Sequence, residues 1–388
     1  MKLKKIINAF LYIYAFTVVF ENYDGLSLGG NSIPKLFGFF LIVLILADKF
    51  QIYNRKTKKF VIPTLYFLAS ITISCLINYN YSMEWLWRYN TILSSILIFI
   101  IYLSYVYDKK EVLDNMFFSF NMGIMLMGLL YLFNIGITYV DNRIEIFGEN
   151  PNTIGIFSVF CVTYILSIFF EKKIIVKYKL LYLFILIPLF NMIANSGSRT
   201  TFVGLVISLV IFFVFKNNTK SNFWIKIFGV IAIYLIIQYL LTFDVMSKRL
   251  ELAVDKGDLS GRDTIWEDIL PYILDKPIFG LGVDGYFDVI SIFFGKFYSP
   301  HNVFIEILAY GGLVSFTIFF FFYYRLIKIS IYLKSKDDYI LPIVLLQFIL
   351  QIFSAGQGLT SKPFWMIYIY IIGSYIYSKA MKRNIALN

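Results

Sequence analysis

The sequence predicts an all-α membrane protein of about twelve transmembrane helices, with one larger external loop, about 244–300, carrying short interfacial helices. Three observations predict it. The 388-residue chain is 59% hydrophobic and 20% aromatic, with a mean hydropathy of +0.73, more apolar surface than a soluble domain needs. Runs of about 15–23 apolar residues recur along its whole length, the size that crosses a bilayer. The net charge of +11 is gathered in alternate loops. Residues 1–388 therefore read as a single polytopic membrane domain, with the external loop inserted between spans nine and ten.

Spans are expected near 6–20, 36–50, 60–78, 89–107, 115–137, 154–170, 180–195, 202–215, 227–243, 301–323, 339–355 and 364–378. Segments on one side hold 24 of the 35 Lys and Arg: Lys2, Lys4 and Lys5, then Lys49 to Lys59, Lys109 and Lys110, Lys172 to Lys179, Lys216 to Lys226, Arg325 to Lys336, and Lys379 to Arg383. The five short loops opposite hold Lys35, Arg88, Arg143, Arg199 and Lys362, and the long loop holds the remaining six. The positive-inside rule then places both termini in the cytoplasm and the long loop outside. The excess charge is an orientation signal, so no nucleic-acid partner is expected. The first span follows Met1-Lys2-Leu3-Lys4-Lys5 without a small-residue cleavage site and is expected to be retained. Cys75 and Cys161 lie inside apolar runs and offer neither a disulfide framework nor a ligand spacing. With a single histidine besides, no metal and no cofactor are expected.

The long loop begins with a charged stretch, Lys248, Arg249, Glu251, Asp255, Lys256 and Asp258. Ser260-Gly261-Arg262-Asp263 matches a capping box, with Ser260 as N-cap. From Arg262 to Asp275, Ile265, Trp266, Ile269, Leu270 and Ile273 share one helical face, which predicts a helix lying along the membrane surface with a kink at Pro271. Gly280-Leu281-Gly282-Val283-Asp284-Gly285 fits a dinucleotide fingerprint. No βαβ unit surrounds it, and it reads as a set of tight turns or a close backbone approach to a ligand.

The short external loops carry polar groups as well. One runs from Arg143 to Asn152 and another is Asn195-Ser196-Gly197-Ser198-Arg199-Thr200-Thr201, between two apolar helices. An arginine in so tight a turn lies at the headgroup level, where it either snorkels to lipid phosphate or lines an anion pocket. Arg88, before the fourth span, can belong to the same pocket. Within the spans ionisable residues are scarce, which disfavours a proton- or sodium-coupled pump. Glu306 is the clearest, spaced four residues from Asn302 so that the two can share a face.

The only histidine, His301, follows Pro300 at the start of the tenth span. Proline suits a first helical position, which places His301 in the first turn, either as a polar cap or as a base kept neutral by the helix dipole. Arg143, Arg199, Arg262 and His301 on one face suit an anionic substrate. Arginines neutralise a leaving diphosphate, and the imidazole removes a proton from an attacking hydroxyl.

Ser196-Gly-Ser-Arg199-Thr-Thr opening a span, Gly261-Arg262 followed by Trp266, Gly280-x-Gly282, Pro300-His301-Asn302 with Gly311-Gly312, and the earlier Asn150-Pro-Asn together resemble the O-antigen ligase and polymerase superfamily. The resemblance covers about 140–325; before that only the apolar spans are similar. It implies a metal-independent glycosyltransferase acting outside the bacterial cytoplasmic (inner) membrane on undecaprenyl-diphosphate-linked oligosaccharide, among membrane lipids and with a chain-length regulator protein as a partner. By the family pattern His301 is the base, Arg199 and Arg262 bind the diphosphate, and Arg143, Arg88, Asn302 and Glu306 are further substrate-binding candidates. A surface-polysaccharide (O-antigen or capsule) polymerase would move the glycan onto a sugar hydroxyl of another lipid-linked unit, and the modest external loop favours this reading. A ligase would move it onto lipid A-core. From other classes, a flippase or exporter would need a polar path through the spans. A scaffold of an assembly complex would tolerate replacement of His301 and the arginines.

Overall fold

The computed structural model describes residues 2–23, 27–28, 31–48, 55–78, 86–169, 176–215, 220–256, 261–295, 298–334, 340–353 and 358–385. Its helices, in chain order, are α1 (Lys2–Thr17), α2 (Ile33–Ala47), α3 (Lys58–Ile77), α4 (Leu86–Val106), α5 (Lys110–Leu132), α6 (Pro151–Phe169), α7 (Val176–Ser196), α8 (Arg199–Phe215), α9 (Lys220–Leu241), α10 (Asp244–Lys256), α11 (Arg262–Asp275), α12 (Gly282–Phe294), α13 (Val303–Lys334), α14 (Ile340–Phe353) and α15 (Lys362–Ile385). Two short antiparallel hairpins interrupt them, β1 (Ser27–Leu28) with β2 (Asn31–Ser32), and β3 (Ile137–Val140) with β4 (Arg143–Ile146). The second falls where the sequence predicts plain loop. Asp141 and Asn142 both take positive φ in its two-residue turn, a geometry that Asp and Asn tolerate and that matches the twist of the strands.

Among the described residues eight helices are long and apolar enough to cross a membrane, and Ile33–Ala47 and Arg199–Val214 are apolar but shorter. The chain is thus an all-α, multi-pass membrane protein. Its many outward Phe, Ile, Leu and Val side chains suit a surface solvated by lipid. The α9 segment is the extreme case, with only 11% of its apolar window buried.

The described residues divide into two compact units. The first comprises Met1–Asp48, Asp114–Gly257 and Ser330–Leu350. Here α6 is the central helix, its Ile154, Phe157, Phe160 and Cys161 fully or almost fully buried. Small residues let neighbours come close: a Cβ on Gly155 would stand 2.7 Å from the Thr201 hydroxyl at the start of α8.

The second unit comprises Lys49–Leu113, Asp258–Ile329 and Gln351–Asn388. Phe99, Phe322, Trp365 and Tyr368 pack as tilted and edge-to-face pairs in its core, where α4 meets α15. The tenth span, expected as continuous, is broken: Gly312 takes φ 60° and ψ −162°, which divides α13 into a short first part and a long second part. The break is matched by the turn between α11 and α12. The Ala309 carbonyl accepts from the Leu281 amide (2.7 Å), while the Leu313 and Val314 amides donate to the carbonyls of Pro277 (2.8 Å) and Ile278 (3.3 Å). Backbone groups that a continuous helix would pair internally are satisfied by the turn instead.

The glycine-rich stretch serves this contact. Gly280 and Gly282 have φ of 68° and 76°. A Cβ on Gly280 would stand 2.6–2.7 Å from Ala309 O, Gly312 N and Leu308 O. The close backbone approach read from this stretch is therefore an approach to α13 itself. Adding a methyl at Gly280 or Gly312 should cost more than about 2 kcal/mol, from positive φ plus overlap. Gly280→Ala and Gly312→Ala should each lower the thermal midpoint in detergent clearly. Gly285→Ala, inside α12 with only Leu281 Cβ at 3.5 Å, should leave it unchanged or raised.

Candidate functional site

His301 lies in the segment Tyr298–Asn302 that leads into α13. The helix begins at Val303, so Pro300 is not its first residue and His301 is not in its first turn. Asn302 is the cap: its Oδ1 accepts from the amides of Phe304 (2.9 Å) and Ile305 (3.3 Å), and its carbonyl accepts from Glu306 (2.9 Å). Pro300, two positions before that cap, has a fixed φ and no amide to donate, and the chain turns at His301, which takes φ +51°. Positive φ is uncommon for a residue with a Cβ, and the segment around it is held from several sides. The Tyr286 hydroxyl of α12 donates to Tyr298 O (2.9 Å), the Trp266 indole of α11 donates to Pro300 O (2.7 Å), and the Ser299 hydroxyl accepts from the His301 amide (3.4 Å).

Two cations bear on the imidazole. Burial comes first in pushing the His301 pKa down from 6.5 to about 4, followed by the charges of Arg262 and then Arg88. These causes, rather than the expected helix dipole, favour the neutral imidazole. Arg262 opens α11, whose N-cap is Gly261 with φ 69°; Ser260, expected as the cap, lies outside the described residues. Ile265, Ile269 and Ile273 form the buried face of α11, while Leu270 is half exposed. The helix runs on through Pro271 to Asp275. Trp266, assigned by its spacing to a membrane-facing side, reaches back to the His301 segment instead.

Arg88 lies in the first turn of α4 and is almost fully buried, with Nη2 2.8 Å from Oε1 of the fully buried Glu306. Glu306 therefore faces Arg88 as well as following Asn302 by one helical turn. Tyr286 and Tyr310, both fully buried, stack edge to face at 5.5 Å beside the pair. Burial first, then the Glu306 charge, raises the Tyr286 phenol, so it stays protonated and keeps its bond to Tyr298. The second unit thus brings together His301, Arg262, Arg88, Asn302 and Glu306. Among the described residues no group of three His, Cys, Asp or Glu side chains converges in a way that could hold a metal ion.

Arg143 and Arg199 belong to the first unit. Arg143 Nε donates to the carbonyl of Ser196, the last residue of α7 (2.6 Å), and Nη2 to Asn152 Oδ1 (2.7 Å). A cation on exposed carbonyls at a helix C-terminus complements the dipole, so part of Arg143's guanidinium serves the fold. Asn150-Pro-Asn resolves into a helix start: Asn150 Oδ1 accepts from the Asn152 amide (2.9 Å), and Pro151 is the first residue of α6. Gly197 reverses the chain with φ 57°, and Ser198 Oγ accepts from the Thr201 hydroxyl (2.9 Å), leaving Arg199 as the half-buried first residue of α8.

Sequence reading passed over two residues of this unit. Arg249 crosses the same turn, its Cδ 2.9 Å from where a Gly197 Cβ would stand. Glu149 is buried, accepts from Asn22 Nδ2 (2.9 Å), and has its pKa pushed up to about 7, chiefly by burial. An isolated Glu in a loop gives no sign of burial, because its partner Asn22 is remote in sequence.

The Arg88–Glu306 pair yields a stability test. Arg88→Met alone leaves a buried carboxylate without its counter-charge, which should cost about 3–5 kcal/mol. Arg88→Met with Glu306→Leu removes both charges and should recover most of that loss in thermal unfolding in detergent.

No curated protein matches the chain. Residues 182–320, which hold Arg199, Arg262, His301, Asn302 and Glu306, match the model of a family described as O-antigen ligase. Over this segment the match agrees with the resemblance to the O-antigen ligase and polymerase superfamily.

Proposed function

We propose that the protein is a glycosyltransferase of surface-polysaccharide assembly, a polymerase that transfers an undecaprenyl-diphosphate-linked glycan onto a sugar hydroxyl of another lipid-linked repeat unit. The observation that carries this reading is the half-buried His301, held at positive φ in a segment tied to α11 and α12 and lying within the stretch matched to the family. His301 takes the proton of the acceptor hydroxyl as its oxygen attacks the anomeric carbon. The bond from that carbon to the diphosphate oxygen breaks, and undecaprenyl diphosphate leaves with its charge neutralised by Arg262. Arg199 is assigned to the diphosphate from its guanidinium at the start of α8 and the family pattern. We read α1–α9 and α13–α15 as the twelve spans, eight of them long and apolar enough to cross a membrane, and place α10–α12 on the outer face with both termini in the cytoplasm.

The depressed pKa has a catalytic consequence. An imidazole with a pKa near 4 is a weak base, and two arginines keep it so while the site is empty. A bound diphosphate offsets their charge and raises the proton affinity of His301, so the base strengthens when the donor arrives. The neutral form is the active one, so rate rises with pH through the His301 pKa. The acid limb of kcat/KM, which reports the free enzyme, should fall at about pH 4. The acid limb of kcat should fall at higher pH.

The family description favours a second reading, a ligase that transfers onto lipid A-core. Reconstitution with undecaprenyl-diphosphate repeat units separates the two. A ladder of glycan sizes supports the polymerase, whereas transfer only on adding lipid A-core supports the ligase. In either case His301→Ala should abolish transfer, by about 100-fold or more, with the protein still inserted and lipid-linked donor accumulating. Wild-type product from that variant would refute His301 as base. Arg199→Lys should also impair transfer, because a point charge does not replace the two-pronged guanidinium; full activity there would mean that Arg199 merely reaches lipid phosphate.

A further inference from the structure

In the site described above the cation and the base come from different helices. Arg262 opens α11, and His301 precedes α13. One side chain spans the gap. Trp266 stands one helical turn after Arg262, so both project from the same side of α11. Its indole N–H donates to the carbonyl of Pro300, the residue bonded to His301, at 2.7 Å. That carbonyl needs an outside donor. The Phe304 amide, which would serve it in a longer helix, is taken by Asn302 Oδ1, and the positive φ of His301 turns the chain away from helical pairing. Packing alone does not account for Trp266 either, because the buried face of α11 is made by Ile265, Ile269 and Ile273.

We propose that Trp266 is a positioning residue for the transfer reaction, whose indole N–H sets the spacing between Arg262 and His301 and hence between a bound diphosphate and the base. The proposal rests on the glycosyltransferase reading above for its chemistry, but its geometry can be measured without turnover. The same bond helps to hold His301 in its positive-φ conformation, so losing it loosens the imidazole as well as its distance from the cation. Misplacement by about 1 Å costs up to about 100-fold in rate while leaving binding contacts largely in place. The defect should therefore fall on kcat rather than KM.

Because the chain has a single histidine, an isotope-labelled imidazole gives one NMR signal, and its titration reports His301 directly. Three variants test the proposal in full-length protein in nanodiscs. Trp266→Phe keeps an aromatic ring and loses the donor. Trp266→Gln loses the ring but carries an amide N–H the same number of bonds from Cβ. Trp266→Met supplies an apolar chain without a donor, for comparison with Gln should the Phe variant accumulate poorly. The wild-type signal should titrate at about pH 4. In the Phe and Met variants it should move toward the ordinary 6.5, with kcat reduced about 10- to 100-fold and KM little changed. The Gln variant should stay nearer to wild type in both. If Phe behaves as wild type while Gln does not, Trp266 acts by packing and the proposal is overturned. It is overturned equally if Trp266→Phe shifts the titration by the same amount in an Arg262→Met background, because the spacing to Arg262 would then be irrelevant. A His301→Ala variant with wild-type transfer would refute the base assignment instead, and the titrations would still test the placement of Arg262 independently.

Discussion

The exchange of backbone hydrogen bonds at the Gly312 break is the constraint on which the candidate site depends. A helix that continued through this point would pair the Ala309 carbonyl with the Leu313 amide. With φ at 60° it cannot, and the turn between α11 and α12 supplies Leu281 N–H to one side and the carbonyls of Pro277 and Ile278 to the other. These bonds join main chain to main chain, so they fix the hairpin's distance from α13 regardless of side-chain rotamers. Asn78 tightens the same point, donating to Gly280 O at 3.1 Å and accepting from Lys276 Nζ at 2.6 Å. Once the hairpin is fixed, α11 presents Arg262 and Trp266, α12 presents Tyr286, and each meets the segment ending at His301 without further adjustment.

Charge is arranged around that segment with a consistent sign. Arg262 and Arg88 oppose a proton on His301, and burial opposes it further. Glu306 pairs with Arg88 at 2.8 Å and offsets part of its field, and Arg88 stands after Arg262 among the charges acting on His301. Burying an ion pair costs several kcal/mol per charge in lost hydration, and the mutual attraction repays that only in part. Two well-packed apolar residues would hold α4 against α13 at least as firmly. What the pair does that apolar residues cannot is fix a guanidinium near enough to His301 to act on its proton affinity. In the proposed reaction an anionic donor would meet Arg262 and Arg88 beside an imidazole already held toward its neutral form.

Much of the fold was legible because membrane burial writes itself into composition: long apolar runs, basic residues in alternate loops, and a polar interval before the tenth span. The buried face of α11 was legible for the same reason, since Ile265, Ile269 and Ile273 recur with helical spacing. The site was legible residue by residue but not in its geometry. Arg88 and Glu306 are far apart in sequence, and no periodicity joins them. The spacing that grouped Trp266 with the apolar face describes its ring correctly but ignores its N–H, which must find an acceptor when the ring is drawn inward. Pro300 suggested a helix start two residues too early, because proline suits a first helical position and the segment before a helix equally well. The side chain of Asn302 decided between them. Arg143 reads as an anion ligand, and nothing local reveals that its guanidinium also reaches the end of α7.

The backbone at His301 bears on whether the residue is there for its imidazole or for its shape. A turn that requires φ near +50° is best filled by glycine, and among residues with a side chain Asn and Asp are well suited. The adjoining position is already Asn302, which caps the helix, so amide chemistry is available to this segment and is used where capping demands it. A histidine at the strained position satisfies neither need better than asparagine would. Its backbone conformation costs on the order of 1 kcal/mol, and its desolvation adds to that; both persist only because Trp266, Tyr286 and Asn302 hold the neighbouring residues. Strain concentrated at one residue and overdetermined by its surroundings marks a position where the direction of the side chain matters. With an imidazole as that side chain and arginines beside it, the position fits the base assigned to it in the proposed transfer reaction.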